Sequence, residues 1–209
     1  MQRIIGFSKE ERPMNSKITA FVAFVLVVLV QLYVPAKMIW DREDILDTGT
    51  EFKFQTAPID PSDPFRGKYI TLDFDEPILT VESGQEWENG ESIYVTLEAD
   101  SNGFTRAKVP SKTPPTDNDP FLKVEVDYVW KDDSTKVSMR IDYPFDRYYM
   151  EESKAYEAEV TYREARRDTS KVTYALVSVK DGEAVLKDVM INGTPIREVV
   201  KANRERGEE

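Results

Sequence analysis

The chain has 209 residues, 39 acidic and 28 basic side chains, and neither cysteine nor histidine. These counts exclude disulfide frameworks, thiolate nucleophiles, thiolate metal sites and every histidine-dependent catalytic triad. A net charge of −11 opposes binding to phosphate backbones, so no nucleic-acid partner is expected.

The first predicted element is a membrane span. Residues 18–36 (ITAFVAFVLVVLVQLYVPA) carry no charge, and Met38, Ile39 and Trp40 extend the apolar run to residue 40. At about 1.5 Å per residue a helix of this length matches the ~30 Å hydrocarbon core. Tyr33 and Trp40 stand where an aromatic belt lies, and Pro35 stands near the predicted end, where a break does little harm. The rival is a cleaved signal peptide ending near Val34-Pro35-Ala36, but its apolar core is usually only ~7–15 residues. Arg3, Lys9, Arg12 and Lys17 precede the run, whereas Lys37 and Arg42 after it are mixed with Asp41, Glu43 and Asp44. This asymmetry predicts a cytoplasmic N-terminus in a single-pass cell-membrane protein. Met14 directly before the span makes residues 1–13 readable as an upstream extension.

The charge is divided between the two sides. Residues 1–39 hold five basic and two acidic side chains, and the rest hold 23 and 37, a net of −14. The expected organisation is a cytoplasmic segment (1–17), an anchor (18–40), a tether (41–50), a β-rich extracytoplasmic domain (51–195) and a charged tail (196–209).

Period-two alternation predicts strands over 51–55, 68–73, 92–99, 105–109, 122–130, 136–142, 172–180 and 184–191. In the second of these, Tyr69, Thr71 and Asp73 share one face, and Ile70, Leu72 and Phe74 the other. Asn102-Gly103, Asp181-Gly182 and Asn192-Gly193 are turn signals. Outside the membrane one clear helix is expected, capped at Ser153 and running to about Arg166, with Tyr156, Val160 and Ala165 on its inner face. A second helix begins near Ile196. The fold class is therefore mainly β, α+β at the margin, with an antiparallel sheet. Pro64-Phe65-Arg66-Gly67-Lys68-Tyr69 and Pro144-Phe145-Asp146-Arg147-Tyr148-Tyr149 share a pattern 80 positions apart, and Gly103 and Gly182 stand 79 apart. This hints at two related halves; chance likeness between β segments is the alternative.

The stretch Asp60-Pro61-Ser62-Asp63-Pro64-Phe65-Arg66-Gly67-Lys68-Tyr69-Ile70-Thr71-Leu72-Asp73-Phe74 resembles the signature of the GDYXXLXY protein family. Those are membrane-anchored bacterial proteins of unassigned activity. Asn102-Gly103-Phe104, residues 143–152, Asp181-Gly182-Glu183-Ala184 and Ile191-Asn192-Gly193 are similar to further blocks of the family. Gly67, Tyr69 and Leu72 match the name motif; Lys68 replaces its Asp and Phe74 its last Tyr, so a carboxylate at 68 is not needed for chemistry. The family's gene often accompanies one for a multi-spanning membrane protein, which implies a polytopic partner in the same membrane.

The motif also has a direct physical reading. Asp60-Pro61 and Asp63-Pro64 stiffen a turn, Gly67 relaxes the backbone before the strand, and Arg66 offers a five-donor fork. Asp60, Asp63, Pro64, Gly67, Tyr69, Leu72 and Phe74 thus form a structural motif. Arg66, Tyr69, Arg147, Tyr148, Tyr149 and Glu151 are the candidate binding residues. Asp100, Asn102, Asp117, Asn118 and Asp119 offer oxygen ligands without EF-hand spacing, so no metal is expected. A Ser/Lys dyad would need a serine just beyond the span, and none stands there. No catalytic residue and no cofactor are assigned. The expectation is a non-catalytic accessory or interaction subunit of a polytopic membrane protein; the alternatives are an envelope ligand-binding or sensor module and, third, a carboxylate-dependent hydrolase. The sequence leaves the oligomeric state open.

Overall fold

A computed structural model describes residues 16–56, 69–75, 77–82, 84–117, 119–132, 135–168 and 170–207. Asp60, Asp63, Pro64, Arg66 and Gly67 lie outside these residues. The chain divides into two units, 1–43 and 44–209.

Helix α1 is Ser16–Thr48 and carries Pro35 inside it. None of its apolar window is buried among the described residues. The helix does not stop at the proline. Proline forfeits one intrahelical bond and crowds the preceding turn, but the residues beyond it keep their own bonds. Lys37 and Asp41, one turn apart, pair at 2.5 Å. The segment expected as a tether is helical as far as Thr48.

In the second unit, the last turn of α1 docks on the sheet. Ile45 is buried, and Ser178 Oγ donates to its carbonyl at 2.7 Å. Gly49 follows because a Cβ there would lie 2.4 Å from the Ile45 carbonyl oxygen. Among the described residues, eleven strands then form three antiparallel groups. They are β1 (Thr50–Gln55), β2 (Tyr69–Thr71), β3 (Ile78–Glu82), β4 (Ser92–Ala99), β5 (Thr105–Ser111), β6 (Phe121–Lys131), β7 (Lys136–Asp142), β8 (Arg147–Tyr149), β9 (Thr173–Lys180), β10 (Glu183–Ile191) and β11 (Thr194–Pro195). One sheet has the order β3-β7-β6-β4-β5, another β1-β9-β10-β11, and β2 pairs with β8 alone. The mainly-β expectation with antiparallel pairing is met.

Alternation places the core. Ile93, Val95 and Leu97 of β4, Leu122, Val124 and Val126 of β6, and Ala175, Val177 and Val179 of β9 are buried in one cluster. Phe54, Phe74, Tyr143 and Phe145 form its aromatic centre, with Phe54 and Phe145 ring centroids 4.9 Å apart. Burial of Ile70, Leu72 and Phe74 follows the expected parity, with Phe74 filling its place in the core by its ring alone.

Helix α2 is Glu152–Arg167 and α3 is Ile196–Gly207. The inner face of α2 differs from the expectation. Ala155, Ala158, Tyr162 and Ala165 are buried, while Tyr156 is 72 % exposed. Small alanines let the helix lie close, so the stripe follows spacing rather than side-chain size. The N-cap position is Glu151, without a side-chain cap bond, rather than Ser153.

Two of the hairpins share a local feature. Hairpins β4–β5 and β9–β10 each carry a register shift, between Val95 and Leu97 and between Leu186 and Asp188. Ala107 and Leu186, 79 apart, precede the extra residue in the second strand of each. The first strand of each hairpin pairs at its other edge with a strand from outside that hairpin: β4 with β6, β9 with β1. The last residues of the two similar segments noted in the sequence face each other, Tyr69 opposite Tyr149 in the β2–β8 pair. Strands β3, β7 and β11 and helices α2 and α3 stand outside this correspondence.

Candidate functional site

The β2–β8 ribbon assembles several of the candidate residues. Because side chains alternate along a strand, β8 turns Arg147 and Tyr149 outward and Tyr148 inward. Tyr149 is 65 % exposed, and its ring lies 5.5 Å from that of Tyr69, its register partner. The Arg147 guanidinium sits 5.2 Å from the Tyr69 ring centroid and 3.5 Å from Asp146. Its hydrogen bond to Tyr149 and the nearby Asp146 carboxylate hold it above the ordinary arginine value. The result is an open aromatic surface with a fixed cation on it, suited to stacking and to carboxylate recognition. Glu151, the N-cap residue of α2, lies just beyond β8 and pairs with Lys154 at 2.6 Å. Arg66 lies outside the described residues.

Beneath this surface is a polar contact that the sequence reading missed. Tyr148 is 5 % exposed, and its hydroxyl donates to Asp188 Oδ1 at 2.9 Å. Asp188 is itself buried; it also accepts from its neighbour Val189 N at 2.8 Å and from Arg197 Nη2 at 3.0 Å. Burial first, then the bond to Asp188, raise the Tyr148 phenol above its ordinary value. The bond to Asp188 raises Arg197 likewise. This cluster ties β8 to β10 and α3, so Tyr148 is a brace for the ribbon rather than part of its outer surface. The signal in the sequence was a carboxylate, Asp188, inside an apolar strand.

A second buried pair lies on α2. Tyr162 is 2 % exposed, and its hydroxyl lies beyond hydrogen-bond distance of any acceptor or donor among the described residues. Arg166 stacks over the Tyr162 ring at 5.0 Å, and its Nε and Nη2 are also unpartnered among the described residues. Burial pushes the Tyr162 phenol up to about 12 and lowers Arg166, whose charge Tyr162, Asp73 and Asp75 partly restore.

One cleft of about 340 Å³ lies at the start of β1. Its walls include Gly49, Phe52, Phe121 and Lys180, with Asp117, Asp119 and Asp181 at the rim. Tyr69, Tyr148 and Tyr149 do not line it. Asp100 is spent on its own loop, accepting from Asn102 N at 2.8 Å and Phe104 N at 2.9 Å.

With this geometry in view, comparison with family models gives one match. The GDYXXLXY protein model covers residues 31–189. The chain belongs to the GDYXXLXY protein family. The match begins within α1 and ends in β10, so it takes in both hairpins, the ribbon and Asp188. No curated protein and no solved structure matches the chain.

Proposed function

We propose that this member of the GDYXXLXY family is a membrane-anchored, non-catalytic accessory subunit of a polytopic membrane protein. Residues 18–40 hold it in the cell membrane with the N-terminus cytoplasmic and the β-rich domain outside. The observation that carries this reading is an apolar stretch exposed on every side of its helix. Lipid is the medium in which such a surface is stable, because a helix satisfies its own backbone there. The basic residues before it support the orientation. The polytopic partner is what the family resemblance implies.

The ribbon surface of Tyr69, Arg147 and Tyr149 is the docking patch of this proposal. Exposed tyrosine and arginine are the residue types enriched at the energetic centres of interfaces. Anchoring confines both partners to one membrane and raises their effective concentration, to the order of ~mM. The test is affinity purification of the full chain in mild detergent at native expression. A polytopic protein should accompany the native chain and be lost from the Arg147→Ala/Tyr149→Ala variant. Recovery of the native chain alone would overturn the proposal. The cleft beside Gly49 favours the second reading, an envelope ligand-binding module, which predicts a small molecule retained through purification.

A further inference from the structure

Gln31 stands alone in the anchor. Between Ile18 and Ala36 every other side chain is less polar, and the midpoint of residues 18–40 is residue 29. At ~1.5 Å rise per residue the Gln31 amide lies about 3 Å from the centre of the span. Its side chain is exposed and has no hydrogen-bond partner among the described residues. Pro35 adds to this, because it occupies the position whose N–H would bond the Gln31 carbonyl one turn back. One turn of α1 therefore concentrates two amide donors, an amide acceptor and a carbonyl deprived of its usual donor. In hydrocarbon, water does not satisfy these groups, and such polar side chains are met by a neighbouring helix.

We infer that the anchor pairs with a second copy of itself through Gln31. This rests on the reading of residues 18–40 as a membrane span. Two copies of a single-pass chain insert in the same direction, so their Gln31 residues sit at equal depth. An amide is both donor and acceptor, so a twofold pair satisfies both side chains reciprocally. The freed Gln31 carbonyl of each copy is a further acceptor at the same level. A helix of different sequence would need its own polar group at that depth. Phe24, Val28, Gln31, Pro35 and Met38, spaced four and three apart, form the seam of a parallel pair. Val22, Leu26, Leu29 and Tyr33 lie on the opposite side. The ribbon of Tyr69, Arg147 and Tyr149 is on another part of the chain and stays free for the partner proposed above.

The chain has no cysteine, so single-cysteine variants need no altered background. Phe24→Cys, Val28→Cys and Met38→Cys report on the seam; Val22→Cys, Leu26→Cys, Leu29→Cys and Tyr33→Cys report on the opposite face. Each full-length variant is oxidised with copper phenanthroline in native membranes, and disulfide dimer is read on a gel. The seam variants should crosslink and the others should not. In the Val28→Cys background, Gln31→Leu should lower the dimer fraction roughly fivefold, the scale of an interhelical polar contact, and Gln31→Asn should retain most of it. A profile without helical period, a maximum on the opposite face, a Gln31→Leu chain that crosslinks as before, or crosslinking to a different protein would each overturn the inference. Alkaline extraction and the size of the mature chain, measured on the same samples, separate the two readings. A chain that is cleaved or extracted refutes the anchor and the pair together; one retained without crosslinks refutes the pair alone.

Discussion

Removing the Asp188 carboxylate tests the brace under the ribbon. In Asp188→Ala the Tyr148 hydroxyl, 5 % exposed, loses its 2.9 Å acceptor and the Val189 amide loses a contact. Arg197 is 62 % exposed at its side chain, so water replaces its partner at little cost. A hydrogen bond to a charged group contributes about 1.5–3 kcal/mol, and an orphaned buried hydroxyl costs about 1–3 kcal/mol. The expected loss is about 3 kcal/mol for Asp188→Ala. For Tyr148→Phe it is about 1.5 kcal/mol, because Asp188 then keeps Arg197 and Val189. The double variant should lose less than the sum, since no orphaned hydroxyl is left in it. For a domain of this size, 3 kcal/mol lowers Tm by roughly 6–12 °C. Thermal unfolding of the full chain in mild detergent, followed by near-UV circular dichroism, gives these differences. Additive losses, or an Asp188→Ala chain as stable as the native one, would refute the assignment of Tyr148 and Asp188 as one coupled unit.

Three further outcomes are expected from the same assay. Gly182→Ala should lose about 2–3 kcal/mol, because φ there is +82° and the new Cβ would lie 2.6 Å from the Phe121 ring. Ile45→Ala should lose about 2–3 kcal/mol by emptying its place under the last turn of α1. Asp142 faces Glu125 across β6–β7, and burial first, then Asp127, raise its carboxyl above the usual value of 3.8. An acid with a raised folded pKa is less favourable when ionised, so the contribution of Asp142 alone to stability rises as pH falls through that raised value toward 3.8. Asp142→Asn should therefore gain a few tenths of a kcal/mol at pH 7 and nothing at pH 3, solvent screening keeping the gain small.

The strands that the sequence revealed are those with a clean period of two. Ser92–Ala99 and Lys136–Asp142 carry their expected bounds because one face of each is apolar and the other polar. Ile78–Glu82 was missed, as its exposed Ile78 hides the alternation. Arg147–Tyr149 is absent from the predicted strands, since three residues show no period and its pairing with β2 is decided by distant sequence. Pro35 misled for a different reason: a local rule places it near a helix end, but the turns on both sides hold the helix through it. Of the candidate surface, the outward pair Tyr69 and Tyr149 was legible as residues. The inward role of Tyr148 was not, because Asp188 and Arg197 come from elements 40 or more positions away. The Asp181-Gly182 turn was legible in full: φ is +51° and +82°, the left-handed pair that asparagine or aspartate with glycine accommodates.

The pairing of β1 with β9 dictates when the chain is able to fold. Thr56, beside β1, meets Thr173, 117 positions later. At ~5–20 residues per second of synthesis, the early strand waits roughly 6–25 s for the segment that completes its sheet. Throughout that interval β1 lacks the strand it pairs with, β9. Folding is thus deferred until almost the whole domain has been delivered. A truncation before residue 173 should leave a sticky fragment rather than a smaller working protein.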